Sequence, residues 1–200
     1  MSREHVLVVF PHPDDEAFSS SGTIKLHTKR GVPVTYICGT LGNMGRNLGN
    51  PLFANRETLK DVRKKELKDA CEIMGINDLR MFGLHDKTVE FEDPEKLADR
   101  IETVINEVKP TLLITFYPEH GVHPDHDAMS NAAIIAVKRL PKNERPVVYG
   151  KAILKNSVDL IGEPDVSVDI KEVAIDKLEA IKAHRSQTSS WIEGMEQALN

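Results

Sequence analysis

The sequence is poor in cysteine. Cys38 and Cys71 are its two, in unlike contexts, which excludes the dense disulfide framework of a small secreted scaffold. No apolar run approaches the ~20 residues that a membrane span needs. The opening residues Met1-Ser2-Arg3-Glu4-His5 pass straight into a short apolar stretch, without the longer hydrophobic region and small-residue cleavage site of a signal peptide. A basic excess is also missing: 26 Lys and Arg stand against 31 Asp and Glu, for a net charge of −5. A phosphate-tracking surface normally needs the opposite balance. Arg63, Lys64 and Lys65 are interleaved with Glu66 and Asp69, as on a solvated helix face. There is no internal repeat, low-complexity tract or domain linker. These absences point to one reduced, cytoplasmic domain over residues 1–200, with neither nucleic acid nor membrane as partner. They leave a homo-oligomer open.

What is present alternates between strand and helix. Residues 6–10 form a continuous apolar run, the pattern of a strand buried on both faces of a parallel sheet. A helix is expected over 17–30, stopping near Gly31, and a second strand over 34–38. Residues 39–55 are rich in glycine (Gly39, Gly42, Gly45, Gly49) and lack periodicity, so they read as a long loop of the kind that is usually functional or disordered. Helices are expected over 57–74, 94–108, 127–140 and 171–184, and strands over 79–82, 112–116 and 147–154. Residues 156–168, with Gly162 and Pro164, read as an excursion. Right-handed βαβ units follow from this alternation. The expected fold class is α/β, a Rossmann-like three-layer αβα sandwich with a mostly parallel sheet of order 3-2-1-4-5.

Two clusters then stand out. His12-Pro13-Asp14-Asp15-Glu16 follows the first strand, and His120 with His123-Pro124-Asp125-His126-Asp127 follows the fourth. In a sheet of that order strands 1 and 4 are neighbours where the winding reverses, and ligands bind beyond their carboxyl ends. The two clusters would therefore face one another. A catalytic zinc takes three imidazole or carboxylate ligands and keeps one position open, which His12, Asp15 and His126 would satisfy. Such a metal brings the pKa of water down towards ~7. Asp14 is then the neighbouring base, His123 the acid or electrophile, and Asp125 an outer partner that orients His123.

Taken singly, each of these residues has a plainer explanation. A histidine near a strand end is usually a surface or capping residue, and Asp14 and Asp15 could serve only the positive end of the following helix. Two histidines and a carboxylate also make the facial triad of non-haem iron enzymes, so Fe2+ suits the same ligands as Zn2+. A non-catalytic sugar- or nucleotide-binding Rossmann-like module is the rival from another class, but the first loop carries no Gly-x-Gly-x-x-Gly.

In these two clusters the chain resembles the PIG-L/LmbE-type N-deacetylases, which carry His-Pro-Asp-Asp-Glu and His-Pro-Asp-His signatures. The resemblance runs from Val6 through Lys182-Ala183-His184-Arg185-Ser186-Gln187. It implies zinc at His12, Asp15 and His126, Asp14 as general base, and His123 assisting the transition state. Within the family, Thr40-Leu41-Gly42-Asn43-Met44-Gly45-Arg46-Asn47 and Leu84-His85-Asp86-Lys87-Thr88 resemble the bacillithiol-pathway branch. That branch removes acetyl from N-acetylglucosaminyl malate. The family also places a substrate-binding Arg in the helix that reads Arg63-Lys64-Lys65-Glu66-Leu67 here. A guanidinium fork suits a carboxylate or sugar hydroxyls, and Arg46 and Arg56 are alternatives.

The resemblance implies hydrolytic N-deacetylation of a small N-acetylated sugar, with Asp14 or His123 protonating the leaving amine. Another N-acetylated sugar, or the amide of a mercapturic-type thiol conjugate, is the second enzyme reading. Relatives acting on mycothiol precursors carry a Tyr where this chain has Gly121, with Tyr117 and His120 as nearby substitutes. The sequence stops soon after Trp191, which leaves little room for a longer carboxy-terminal element lining the pocket.

Overall fold

The computed structural model describes residues 4–189 and 192; Trp191 lies outside them. Five parallel strands are arranged in the order β3-β2-β1-β4-β5. They are β1 (Val6–Phe10), β2 (Val34–Thr40), β3 (Asp78–Leu84), β4 (Leu112–Phe116) and β5 (Val147–Lys151). β1 sits at the centre, with Val6 in register with both Val34 of β2 and Leu112 of β4. β1, β2 and β4 are buried along their whole length, whereas β3 and β5, at the sheet edges, are only partly covered. The continuous apolar runs of the sequence are thus the inner strands.

Alternate residues of each strand feed two separate cores, because successive side chains point to opposite faces. Val6, Val8 and Phe10 pack with Ile24, Leu67, Ala70, Ala180 and Ile181. These come from α2 (Ser21–Lys29), α3 (Leu59–Met74) and α7 (Ala174–Ala183). Leu7 and Val9 pack on the other face with Leu97, Ile101, Ala132 and Ala136, from α4 (Pro94–Val108) and α5 (Pro124–Arg139). Three layers result, as the alternation of elements implied. Among the described residues no helix is long and apolar enough to cross a membrane.

Several boundaries differ from the sequence reading for local reasons. The helix expected over 17–30 is two pieces, α1 (Asp15–Ser19) and α2, interrupted at Ser20. Ser19 and Ser21 hydroxyls donate to the carbonyls of Asp15 and Ala17, a competition with the backbone that weakens helix interiors. Gly22 lies against Ile170, where an added Cβ would meet its side chain at 2.7 Å. α5 starts three residues earlier than expected. His123 is its N-cap, its ring accepting from the Asp125 N–H, and Pro124 stands in the first turn, where a missing N–H costs nothing. β5 ends at Lys151 rather than 154, and the excursion at 156–168 contains a short α6 (Ser157–Ile161). After α7, the chain makes one more turn, α8 (Arg185–Thr188).

Candidate active site

The loops after β1 and β4 meet beyond the carboxyl ends of the two strands. Three donor atoms converge there. His12 Nδ1 lies 3.2 Å from His126 Nε2 and 3.4 Å from Asp15 Oδ2, and His126 Nε2 lies 3.3 Å from Asp15 Oδ1. A tetrahedral metal with bonds of ~2.0–2.1 Å has ligand atoms about 3.3 Å apart. The far side of each ring fixes its tautomer. His12 Nε2 faces Asp125 Oδ2 at 3.0 Å and Asp86 Oδ1 at 3.2 Å, so it carries a proton towards them. His126 Nδ1 lies against the Gly121 carbonyl and likewise donates. In the neutral rings, two bare nitrogen lone pairs and a carboxylate then point at one another. A divalent cation satisfies that arrangement, and the donor set fits one.

The outer partners are buried and fully engaged. Asp125 Oδ2 accepts from the Lys87 N–H at 2.7 Å, and Oδ1 from the Val89 N–H at 3.0 Å. This corrects one expectation: Asp125 orients His12, not His123, because at the start of α5 its carboxylate points towards the His12 ring and the 87–89 backbone. Asp86 Oδ2 accepts from the Met44 N–H at 2.8 Å. His12, His123 and Asp125 also have ligand atoms within 4.8 Å of one another. Both Asp125 oxygens are already occupied, however, whereas in the His12, Asp15 and His126 set the His12 backbone N–H takes only Asp15 Oδ2, at 2.8 Å, and leaves Oδ1 beside the two ring nitrogens. Carboxylates behind a ligating imidazole raise its basicity and fix its orientation.

Asp14 sits beside this set in a left-handed backbone conformation, φ 101°, which a residue with a side chain adopts only when its surroundings impose it. Arg63, 3% exposed, imposes part of it. Its guanidinium donates to Asp14 Oδ2 at 2.9 Å, to the Pro13 carbonyl, and to the Gly42 carbonyl at 2.9 Å. Gly42 has φ +61° and no room for a Cβ, which would meet Arg63 Nη1 at 2.1 Å. Burial pushes the Asp14 carboxyl up to about 6, against the downward pull of Arg63, which brings it near the range useful to a base at neutral pH. The Asp15 carboxyl is held low: burial raises it, but His126 and His12 together outweigh burial.

His123 packs edge-on to His12, ring centroids 5.0 Å apart. Its Nδ1 accepts the Asp125 N–H at 3.1 Å, so the neutral ring keeps its proton on Nε2. Burial lowers its pKa and His12 adds to that, with Asp125 opposing. His123 is therefore set up as a neutral N–H donor. His120 packs against Tyr117 instead, centroids 5.4 Å apart.

The three arginines separate. Arg63 is buried and committed to Asp14 and two carbonyls. Arg56 is exposed and donates to the Gly45 carbonyl. Arg46 is exposed on the glycine-rich loop, and among the described residues no hydrogen bond or ion pair holds its guanidinium. Sequence reasoning missed Asp86, Glu16 and His184 as members of the site. Asp86 and His184 lie in the 84–88 and 182–187 segments that carry the family resemblance, and Glu16 closes the first motif, but only the folded chain shows what they touch.

Residues 7–137 match the family described as PIG-L, GlcNAc-PI de-N-acetylase. The chain is 64% identical over 189 residues to the probable N-acetyl-alpha-D-glucosaminyl L-malate deacetylase 2 of Bacillus cereus, covering 94% of this chain and 86% of that one. It is 56% identical over 197 residues to the protein of the same name in Bacillus subtilis, covering 98% and 89%. Among solved structures, the N,N'-diacetylchitobiose deacetylase of Pyrococcus horikoshii, in complex with its inhibitor MPG, superposes with a TM-score of 0.71 at 26% identity. That likeness covers 99% of this chain and 76% of the other. The fold, the two histidine- and aspartate-bearing loops and these likenesses agree that the chain belongs to the PIG-L family of de-N-acetylases.

Proposed function

We propose that the chain hydrolyses the acetamide of an N-acetylglucosaminide, N-acetylglucosaminyl malate first among them, as a step of bacillithiol biosynthesis in the cytoplasm. The observation that carries this reading is the grouping of three parts. They are a metal-ready donor set, a carboxylate with one oxygen held by Arg63, and a neutral imidazole N–H donor. The relatives named for that substrate, at 64% and 56% identity, supply the choice of sugar.

Zinc is the ion proposed for His12, Asp15 and His126, since two imidazoles and one carboxylate leave a position open; Fe2+ suits the same atoms. When bound, the metal supplies Lewis acidity to the acetamide oxygen and acidifies water. Asp14 takes the proton of the attacking water as the new C–O bond forms. His123 Nε2–H donates to the carbonyl oxygen as it becomes negative. The C–N bond then breaks, and the proton on Asp14 is available for the departing nitrogen. Acetate and a free amine leave. The exposed Arg46 guanidinium is the group proposed to meet the malate carboxylates, with a fork geometry suited to them.

Two measurements test the reading. Asp14→Ala should keep one metal per chain yet lose turnover by about 10²–10⁴-fold, the range typical of general base catalysis. Near-normal turnover would overturn the role of Asp14. A panel of N-acetylglucosaminyl malate, diacetylchitobiose and an N-acetylcysteine conjugate, each with the metal-loaded protein, tests the substrate. A preference for either of the last two overturns the choice of malate.

A further inference from the structure

The Asp14 backbone is held from two directions, and Arg63 is one of them. The other begins at Glu16. Its Oε2 accepts the Asp14 N–H at 3.1 Å and the Tyr36 hydroxyl at 3.0 Å, while Oε1 accepts from His184 Nε2 at 2.7 Å. Glu16, Tyr36 and His184 are all fully buried. His184 Nδ1 is also buried and has no hydrogen-bond partner among the described residues. A carboxylate–imidazole pair in a core, with one polar atom left unsatisfied among the described residues, is weak evidence for stability. Apolar residues of similar volume usually do as well or better. Its geometry points elsewhere, to the one strained residue that it touches.

We propose that Glu16 and His184 are positioning residues that lock Asp14 in its left-handed conformation and so aim its carboxylate into the site. Glu16 supplies the acceptor that the Asp14 N–H needs. His184, 168 residues away in sequence, fixes the Glu16 carboxylate in the rotamer that reaches it. The same turn of chain is anchored a second time by Glu66. That carboxylate accepts from the Ser186 N–H at 2.6 Å and the Ser186 hydroxyl at 2.7 Å. The 184–186 turn is thereby made part of the machinery around the base. The inference rests on the assignment of Asp14 as base.

The test separates grip from charge. In Glu16→Gln the amide oxygen can still accept from Asp14 and Tyr36, while its NH2 donates to a neutral His184. Turnover is expected within about fivefold of wild type. The double variant Glu16→Leu/His184→Leu removes the grip without leaving a buried charge. It should keep metal stoichiometry and KM but lose about 10- to 100-fold in kcat, the pattern of a lost transition-state interaction. A folded, metal-loaded double variant with wild-type kcat overturns the inference. Should that variant not fold, hydrogen exchange in the wild-type protein decides. An Asp14 amide as protected as those of β1 supports the grip, and one that exchanges like a loop overturns it. If Asp14→Ala is itself active, the base assignment has failed. If that variant is dead and the double variant is not, only the positioning role has failed.

Discussion

The loops after β1 and β4 carry matching chemistry but are held differently. The second makes several of its contacts within itself, although its Asp125 also accepts from the Lys87 and Val89 N–H groups. The Gly121 N–H donates to Asp127 Oδ1, the His126 N–H to the His123 carbonyl, and the His126 ring to the Gly121 carbonyl. All of these lie within seven residues of chain. The first loop is held from outside, by Arg63 of α3, by Tyr36 of β2 and by His184 beyond α7. Both contain residues at positive φ, Asp14 in one and Glu119 and Val122 in the other. Backbone strain thus accompanies both halves of the site, as it often does where geometry is prescribed. The difference suggests a division of labour. The local loop fixes a ligand, and the distant contacts fix a base.

Breaking the first loop from outside should give the largest effect. Arg63→Leu removes the cation beside Asp14 and the donor to the Pro13 and Gly42 carbonyls. A loss of about 10²–10³-fold in kcat is expected, within the range for a misplaced general base. Metal content should be unchanged by elemental analysis, and KM little altered. A rise in KM at constant kcat would instead mark Arg63 as a substrate contact.

This asymmetry also explains what could be read from the sequence. The sheet order followed from alternating elements and from the buried runs at 6–10 and 112–116. The two motifs were visible because each is contiguous, and their meeting followed from the position of β1 beside β4. The partners of Asp14 were not readable. Arg63 looked like a solvated helix residue among Lys64 and Lys65, and nothing local announces that it is 3% exposed. His184 and Glu16 are related only through the packing of α7 over α1. Even within the local loop, Asp125 was paired with the wrong histidine. Adjacency suggested His123, but the helix that starts at Pro124 turns the carboxylate towards His12 and the 87–89 backbone.

A second variant sharpens the contrast from the other side. Asp125→Asn keeps the shape but gives the Lys87 and Val89 amides and His12 Nε2 one good acceptor oxygen instead of two. Outer partners of metal-ligating histidines are typically worth 10–100-fold in affinity. Competition with a chelator should show a loss of that size. With metal saturating, kcat should stay within about tenfold of wild type. Arg63→Leu and Asp125→Asn would then move different quantities. If both lower kcat and leave metal affinity alone, the two loops do not divide the work.

The smallest expected effect concerns stability and comes from the far anchor of the first loop. Among the described residues, the charged groups that act on His184 are Glu16, Asp14 and Arg63. Burial lowers its pKa, but Glu16 and Asp14 more than offset that against Arg63, and the net shift is upward. A histidine whose folded pKa lies above its unfolded value of ~6.5 stabilises fully below that value. The contribution is lost as pH rises through the folded pKa. The midpoint of the metal-loaded wild type should therefore fall more steeply as pH rises above about 6.5 than that of His184→Gln, which cannot titrate. Using the metal-loaded protein keeps His12 and His126 out of the titration. Parallel curves for the two proteins would mean that Glu16 holds His184 through shape and hydrogen bonding alone. The base would then be gripped by an anchor that does not feel pH.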